Sequence, residues 1–142
     1  MKNDNNKQVF NHSLAIPSDF KEIDKVQDFA RNVLSSCDYP NETQQDIILA
    51  LQEGVNNAIK HGNGSLPDQE VSINMTVYDS HLELRIRDNG LGFDRDQLKD
   101  PTNPEERMRC NGRGLLFIEN YMDEICFVRN AGYHELKMIR YR

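Results

Sequence analysis

The chain has few cysteines, and those it has form no recognisable pattern. Cys37, Cys110 and Cys126 are odd in number, lie far apart and include no C-x-x-C pair. Disulfide frameworks use even sets of cysteines, and structural zinc sites use closely spaced pairs. The sequence therefore predicts neither kind of site, and we expect a protein of the reducing cytoplasm.

Positive charge and long apolar runs are also scarce. Lysine and arginine number 17 against 23 acidic residues, which leaves a formal net charge of -6. Because general nucleic-acid binders and proteins that dock on anionic membranes depend on basic residues, we expect direct binding to neither. The longest fully apolar run covers residues 47–51, and residues 1–8 lack the apolar segment of a signal peptide. We therefore expect no membrane span and no export signal.

The length and the charge content suit a single globular domain. A chain of 142 residues buries roughly 68% of the surface that its unfolded form exposes, so it needs no disulfide or structural metal. Charged residues of both signs make up 28% of the chain, which is typical of a soluble domain rather than a disordered one. We expect a disordered tail over residues 1–8 and one domain over residues 9–142.

Hydrophobic spacing predicts the element order β-α-α-β-β, then a connection, a helix and two strands. Alternation predicts strands at residues 9–16, 71–78, 81–88, 124–129 and 134–141. A helical period predicts helices at residues 19–37, 42–61 and 114–122. Ser18 is the expected N-cap of the first helix, and residues 94–111, which are charged and contain two prolines, are the expected lid. This order predicts an α+β fold, a two-layer α/β sandwich with a mixed sheet and helices on one face.

The second predicted helix carries a polar stripe opposite an apolar one. Glu53, Asn57 and His61 fall together on one side. A polar stripe is usually only a solvated helix face, and spacing alone does not exclude that interpretation. A carboxylate, an amide and an imidazole are nevertheless groups that contact ligands. The apolar side is formed by Ile48, Leu51, Val55 and Ile59.

The third predicted strand ends on a carboxylate that points in the same direction as its apolar residues. Alternation places Asp88 on the same face as Leu84 and Ile86. A buried carboxylate without a partner costs several kcal/mol, so we expect a donor from the protein or from a ligand to meet it. The next residues, 89–92 (NGLG), supply two glycines where the backbone can approach a planar ring. The alternative is a plain hairpin turn, for which Asn-Gly is a strong signal.

A glycine turn opens the helix that is predicted after the lid. Residues 111–115 (NGRGL) would present free N–H groups at the positive end of a helix dipole, which favours an anion. Arg107, Arg109 and Arg113 lie in the same segment of an otherwise acidic chain. A lone capping turn with a solvated basic edge is the alternative. The chain contains neither the phosphate-loop motif nor the motifs of common protein kinases, so a nucleotide would bind in another way.

Three segments, taken together, resemble the N, G1 and G2 boxes of the GHKL ATPases. They are residues 53–62 (EGVNNAIKHG), 88–92 (DNGLG) and 112–115 (GRGL). This superfamily includes gyrase-type ATPases, heat-shock 90 chaperones, MutL and sensor histidine kinases. Within it the chain is most similar to the small bacterial anti-sigma factor serine kinases of the RsbW and SpoIIAB type. The resemblance covers roughly residues 9–141 and implies the Bergerat-type ATP-binding fold.

The resemblance implies a role for the matching residues. Asn57 would be the Mg²⁺ ligand, Glu53 the general base or orienter of the attacking hydroxyl, and Asp88 the acceptor of the adenine amino group. His61 completes the nucleotide-binding residues of the helix. Arg109 or Arg113 would offset the charge of the γ-phosphate, and the choice between these two arginines stays open. The glycines and the leucine that would pack on the ring or cap the phosphates are Gly90, Gly92, Gly112, Gly114 and Leu115.

The implied function is that of a cytoplasmic, ATP- and Mg²⁺-dependent serine/threonine-protein kinase and anti-sigma factor. Its substrate would be a STAS-type anti-anti-sigma partner, in a pathway with a sigma factor or a PP2C-type phosphatase, and the resemblance also implies a homodimer. One alternative is a non-catalytic module that uses nucleotide only as a switch, in which Glu53 has no role. Another is a detached ATPase domain of a sensor histidine kinase. The chain departs from its relatives before the last strand, where Gly132, Tyr133 and His134 replace a frequent Gly-Thr.

Overall fold

The computed structural model describes residues 8–64, 66–89, 118–129 and 132–142. The predicted lid, the glycine turn at residues 111–115 and residues 1–7 of the predicted tail lie outside these ranges. The described elements are β1 (Gln8–Pro17), a 3₁₀ turn (Phe20–Glu22), α1 (Ile23–Leu34), α2 (Asn41–Asn57), a π-helical turn (Ala58–Gly62) that continues α2, β2 (Glu70–Tyr78), β3 (His81–Asp88), β4 (Glu124–Arg129) and β5 (His134–Tyr141).

The five strands form one sheet in the order β1-β2-β3-β5-β4, and all neighbouring pairs in the described sheet are antiparallel. The predicted α+β class is confirmed, whereas the predicted mixed sheet is wrong for these strands. Although β4 runs in the same direction as β3, the β4–β5 hairpin folds β5 back between them. Strands that run in the same direction are therefore always separated by an antiparallel strand in the described sheet.

Alternation along the strands gives the sheet one apolar and one polar face. On β3, Leu82 and Leu84 are fully buried, while Arg85 and Arg87 are exposed on the opposite side. The helices cover the apolar face, as the contact of Gly54 in α2 with the side chain of Ile86 shows. This arrangement confirms the predicted two layers, and it brings the end of α2 beside the end of β3.

Both helices bury one side, as their sequence period predicts. In α1 the buried residues are Val26, Ala30, Val33 and Leu34. In α2 and the π-helical turn they include Ile48, Leu51, Val55 and Ile59, the four residues of the predicted apolar side. The positive φ of 60° at Gly64 turns the chain after this helix, a conformation that glycine adopts without steric cost.

The prediction that Ser18 caps the first helix is wrong. The carboxylate of Asp19 accepts a hydrogen bond from the backbone N–H of Lys21 at 3.0 Å and so caps the 3₁₀ turn that precedes α1. Ser18 is held at the sheet instead, because its N–H donates to the carbonyl of Gln69 and its hydroxyl accepts from Asn63. A buried hydroxyl with these partners is not available to a helix N-terminus.

The remaining boundaries agree with the sequence to within a few residues. The predicted strands at 81–88, 124–129 and 134–141 are confirmed, and β1 and β2 each begin one residue earlier than predicted. Of the helix predicted at 114–122, Ile118 and Glu119 are helical, and residues 114–117 lie outside the described part. Among the described helices, no segment has the length and apolar character needed to cross a membrane.

Candidate functional site

A small cavity opens where the end of α2 meets the sheet. Its polar lining consists of Asn57, His61 and Asp88, three of the residues that the sequence singles out. They come from segments about 30 residues apart and meet only because α2 crosses the end of β3. The other lining residues are Gly54, Ala58, Gly62, Ile86, Phe127 and Leu136.

Asn57 is presented to this cavity by the last turn of α2. Val55 and Ile59 are fully buried and anchor the helix, and Asn57 lies on a different side of the helix, which lines the cavity. The Nδ2 atom of Asn57 is buried and makes no hydrogen bond within the described part of the chain. Because an amide group can be turned about its last bond, the side chain can offer either a donor or an acceptor to a ligand at this place.

His61 follows on the π-helical turn. This turn widens the helix by one residue, and its end is closed by the hydrogen bond from the N–H of Asn63 to the carbonyl of Ala58 at 2.9 Å. The imidazole of His61 is exposed at the rim of the cavity. Single π-helical turns are frequent at functional sites, because they re-aim side chains relative to the preceding helix.

Asp88 ends β3 with its side chain directed to the apolar face, as the alternation predicts, and it is only 5% exposed. The carboxylate lies against Gly62 so closely that a Cβ atom at residue 62 would overlap both of its oxygens. A glycine is therefore required at residue 62 for the close approach of helix and carboxylate.

A buried imidazole from β5 lies beside this carboxylate. His134 is the residue opposite Asp88 in the β3–β5 register, and its Nδ1 atom lies 3.1 Å from Oδ1 of Asp88. The imidazole is only 1% exposed, and its ring packs near that of Phe127 with a centroid distance of 5.9 Å. The carboxylate and the imidazole thus lie side by side in the protein interior, where β3 ends and β5 begins.

A second buried side chain, Asn63, ties the neighbourhood of the cavity together. Its Nδ2 atom donates to the hydroxyl of Ser18 at 2.6 Å and to the carbonyl of Glu70 at 3.0 Å. Its Oδ1 atom accepts from the backbone N–H of Asn89 at 2.8 Å, directly after Asp88. The side chain of Asn89 in turn donates to Gln69 at 2.6 Å. These bonds hold the end of β3 to the end of the helix and to the start of β2.

Glu53 lies one helical turn before Asn57 and is half-buried, but it is not among the lining residues of this cavity in the described part of the chain. The predicted site residues outside the described ranges are Gly90, Gly92, Arg109, Gly112, Arg113, Gly114 and Leu115. The structure thus brings together Asn57, His61 and Asp88 of the predicted site, and it leaves Glu53 outside the described cavity.

Sequence reasoning missed the roles of Gly62, Asn63 and His134. The sequence places Gly62 at the end of the first motif, but the motif does not indicate the close approach of this residue to Asp88, and the spacing does not mark Asn63 as buried. His134 lies where the chain departs from the Gly-Thr of its relatives, and this departure was the available signal. Its contact with Asp88 depends on the strand register, which sequence spacing does not determine.

Comparison with known proteins identifies the family. The sequence profile described as "Histidine kinase-like ATPase domain" matches residues 16–140. A protein named Serine-protein kinase RsbW from Listeria monocytogenes (strain ATCC BAA-679 / EGD-e) is 31% identical over 106 residues, which cover 70% of this chain and 68% of the relative. A protein named Anti-sigma F factor from Priestia megaterium is 36% identical over 115 residues, which cover 75% of this chain and 77% of the relative.

Among solved structures, one of the RsbU and RsbW domains of a Mycobacterium tuberculosis protein matches with a TM-score of 0.67 at 16% sequence identity. The match covers 94% of this chain and 33% of that chain, so the present chain spans about a third of its length. At this sequence identity the match shows the fold alone, and that fold agrees with the predicted α+β architecture. The resemblance drawn from the three sequence motifs is confirmed: the chain belongs to the family of histidine kinase-like ATPase domains.

Proposed function

We propose that the protein binds ATP at the cavity between α2 and β3 and transfers the γ-phosphate to a serine or threonine of a small STAS-type anti-anti-sigma partner. The observation that carries this proposal is the meeting of Asn57 and Asp88, from two separate motifs, at one cavity. The names of the relatives, which are serine-protein kinases and an anti-sigma factor, support the enzyme class. The protein would act in the cytoplasm as an anti-sigma factor, with residues 9–142 as one domain that forms a homodimer.

The adenine end of the proposed site is formed by Asp88 and the apolar lining. Ile86, Phe127 and Leu136 offer a surface on which a planar ring loses contact with water. The carboxylate of Asp88, which is buried and directed to the cavity, would accept a hydrogen bond from the exocyclic amino group of adenine. Hydrogen bonds to charged groups contribute about 1.5–3 kcal/mol, so this contact would account for much of the base preference.

The phosphate end of the proposed site begins at Asn57. The Nδ2 atom of Asn57 is buried and makes no hydrogen bond within the described residues, so the amide is available to a ligand. If the amide is turned about its last bond, its oxygen takes this place, and such a neutral oxygen is a ligand that Mg²⁺ accepts. When bound, Mg²⁺ would offset the charge of the phosphates during transfer. Asn57 would orient the β- and γ-phosphates relative to the attacking hydroxyl, and His61 at the rim would contact the nucleotide as well.

Glu53 would orient the serine hydroxyl and take up its proton. It stands four residues, about 6 Å along the helix axis, before Asn57, and a half-buried carboxylate there can reach a substrate that docks over the helix. Gly90 and Gly92 beside the ring, and Gly112, Gly114 and Leu115 over the phosphates, complete the proposal on the strength of the resemblance. On the same ground, Arg109 or Arg113 would contact the γ-phosphate.

The test is transfer of labelled phosphate from ATP to a partner captured with the protein. We expect the wild-type protein to form acid-stable phosphoserine on the partner. Glu53→Gln should bind ATP with unchanged affinity but transfer phosphate at least about 100-fold more slowly, because a positioned base contributes at least that factor. Glu42→Gln, an exposed carboxylate in the first turn of the same helix, is the matched control. Wild-type transfer by Glu53→Gln would disprove the role of Glu53.

A non-catalytic, nucleotide-dependent binding module is the second candidate. The observation that favours it is the position of Glu53 outside the residues that line the described cavity. Such a module would bind ATP and the partner but would transfer no phosphate in a single-turnover assay. Acid-labile phosphate on the partner would instead indicate a histidine kinase.

A further inference from the structure

We propose that Asn63 is a positioning residue that fixes the end of β3 so that Asp88 selects adenine. The inference rests on the proposed ATP site and concerns a residue outside its three motifs. The pairing of β3 with β2 ends at Arg87, and its pairing with β5 ends at Asp88. Asn89 is therefore the first residue beyond both ladders, where the sheet no longer fixes the direction of the chain.

The side chain of Asn63 holds the chain at this point. Its Oδ1 atom accepts a hydrogen bond from the backbone N–H of Asn89 at 2.8 Å. This N–H belongs to the planar peptide unit that begins at the Cα atom of Asp88, so the bond fixes the backbone on the carboxyl side of Asp88. The amide of Asn63 has only one consistent orientation, because its Nδ2 atom lies 3.0 Å from the carbonyl of Glu70, which can only accept.

The amide of Asn63 is itself held rigidly. Its Nδ2 atom donates to the hydroxyl of Ser18 at 2.6 Å as well as to Glu70, so both of its hydrogens are used. Asn63 is 0% and Ser18 1% exposed, so water cannot readily replace these partners. The end of β3 is thus held by a buried amide that is anchored just after β1 and at the start of β2.

The preceding residue, Gly62, confines the carboxylate of Asp88, because a Cβ atom at residue 62 would overlap its oxygens. Two consecutive residues therefore hold two consecutive residues: Gly62 limits the side chain of Asp88, and Asn63 holds the N–H of Asn89.

Asn63 acts through Asp88 rather than on the ligand. Within the described part of the chain Asn63 does not line the cavity, whereas Asp88 does. Removal of the Asn63 amide should therefore weaken the contact to the 6-amino group of the purine, while the contacts of the apolar lining and the phosphates persist. The expected signature is a change in base preference, and not a uniform loss of affinity.

The test compares the Kd for ATP with that for purine riboside triphosphate, which lacks the 6-amino group, by calorimetry. We expect the wild-type protein to prefer ATP by at least about tenfold, as for loss of a hydrogen bond to a charged group. The preference should fall below about threefold in Asn63→Ala. Ser18→Ala is the matched control, because it removes one hydrogen bond of the same amide and leaves the bond to Asn89, so it should keep the wild-type preference. An unchanged preference in Asn63→Ala, or an equal fall in Ser18→Ala, would overturn the inference, because a merely structural role does not separate the two variants.

Hydrogen exchange of the Asn89 N–H in the wild-type protein covers the case in which Asn63→Ala does not fold. The two nucleotides are compared at the same multiple of their own Kd, so that both protect equally against global unfolding. If opening of the bond to Asn63 also weakens the contact to the 6-amino group, ATP must by reciprocity stabilise this bond more than the analogue does. We expect Asn89 to exchange at least about threefold more slowly with ATP than with the analogue. Equal exchange rates with the two nucleotides would overturn the inference.

The proposed ATP site fails in a different way. A wild-type protein that binds neither nucleotide would contradict the site itself, and equal affinity of the wild-type protein for both would contradict the role of Asp88. In either case the role of Asn63 falls with the site. Loss of the Asn63 inference alone requires a wild-type protein that prefers ATP and an Asn63→Ala variant that prefers it equally.

Discussion

Alanine in place of Gly62 is expected to impair nucleotide binding without unfolding the protein. The added Cβ would overlap the carboxylate of Asp88, so this side chain must leave the position in which it faces the cavity. The fold is expected to tolerate the change, because two effects on stability oppose each other. Relief of glycine's poor helix propensity contributes about 1 kcal/mol, and overpacking costs about 1–3 kcal/mol. The net loss of stability should therefore be about 0–2 kcal/mol.

The effect on binding should be larger. Loss of a hydrogen bond to a charged acceptor costs about 1.5–3 kcal/mol, which corresponds to roughly 10–150-fold in the Kd for ATP. Calorimetric titration of folded Gly62→Ala with Mg-ATP measures the change in Kd, and urea unfolding measures the change in stability separately. Gly132→Ala is the matched control, because its Cβ would meet no described atom within 4 Å. Binding of ATP by Gly62→Ala with wild-type affinity would refute the assignment of the cavity to adenine.

Two further changes test the buried contacts around the site and the fold. Asn63→Ala removes three hydrogen bonds of a buried side chain, to Ser18, Glu70 and Asn89, and should lower the free energy of unfolding by about 3 kcal/mol. A loss below about 1 kcal/mol in urea unfolding would show that these bonds do not hold the end of β3 to the helix. Burial raises the pKa of Tyr39 to about 12, partly opposed by Arg142, so the folded protein keeps this proton while the unfolded chain releases it near pH 10. Stability should therefore fall as the pH rises from 10 to 12, and Tyr39 should contribute about 1.4 kcal/mol of the loss between pH 8 and pH 11. Tyr39→Phe should lack this contribution, and an identical decline in both proteins would show that the phenol is not held neutral by burial.

Elements with a strong hydrophobic period were predictable from the sequence. The alternation at residues 81–88 fixes both the strand and the direction of Asp88, because successive side chains of a strand point to opposite faces. In the same way, the period through Ile48, Leu51 and Val55 determines which side of α2 is fully buried. Since Asn57 and His61 lie opposite this side, the sequence also indicates which helix residues can meet a ligand.

Features that depend on contacts between distant segments were not predictable. Ser18 and Asp19 are equally good capping residues by type, and the choice between them follows from the hydrogen bond of Ser18 to Asn63. The insertion of β5 between β3 and β4 sets both the antiparallel sheet and the pairing of Asp88 with His134. Sequence spacing contains no information on which strand lies between which others. The antiparallel sheet and the contact of Asp88 with His134 therefore could not be predicted from it.

The most direct test of the account is the affinity of Asp88→Asn for Mg-ATP, measured by calorimetry against the wild-type protein. Asp88→Asn keeps the size of the side chain but removes the charged acceptor, so we predict binding that is at least about tenfold weaker in a folded protein. Asp79→Asn, at an exposed aspartate between β2 and β3, should bind as the wild-type protein does. Equal affinity of Asp88→Asn and the wild-type protein would contradict the claim that this cavity holds the adenine of ATP.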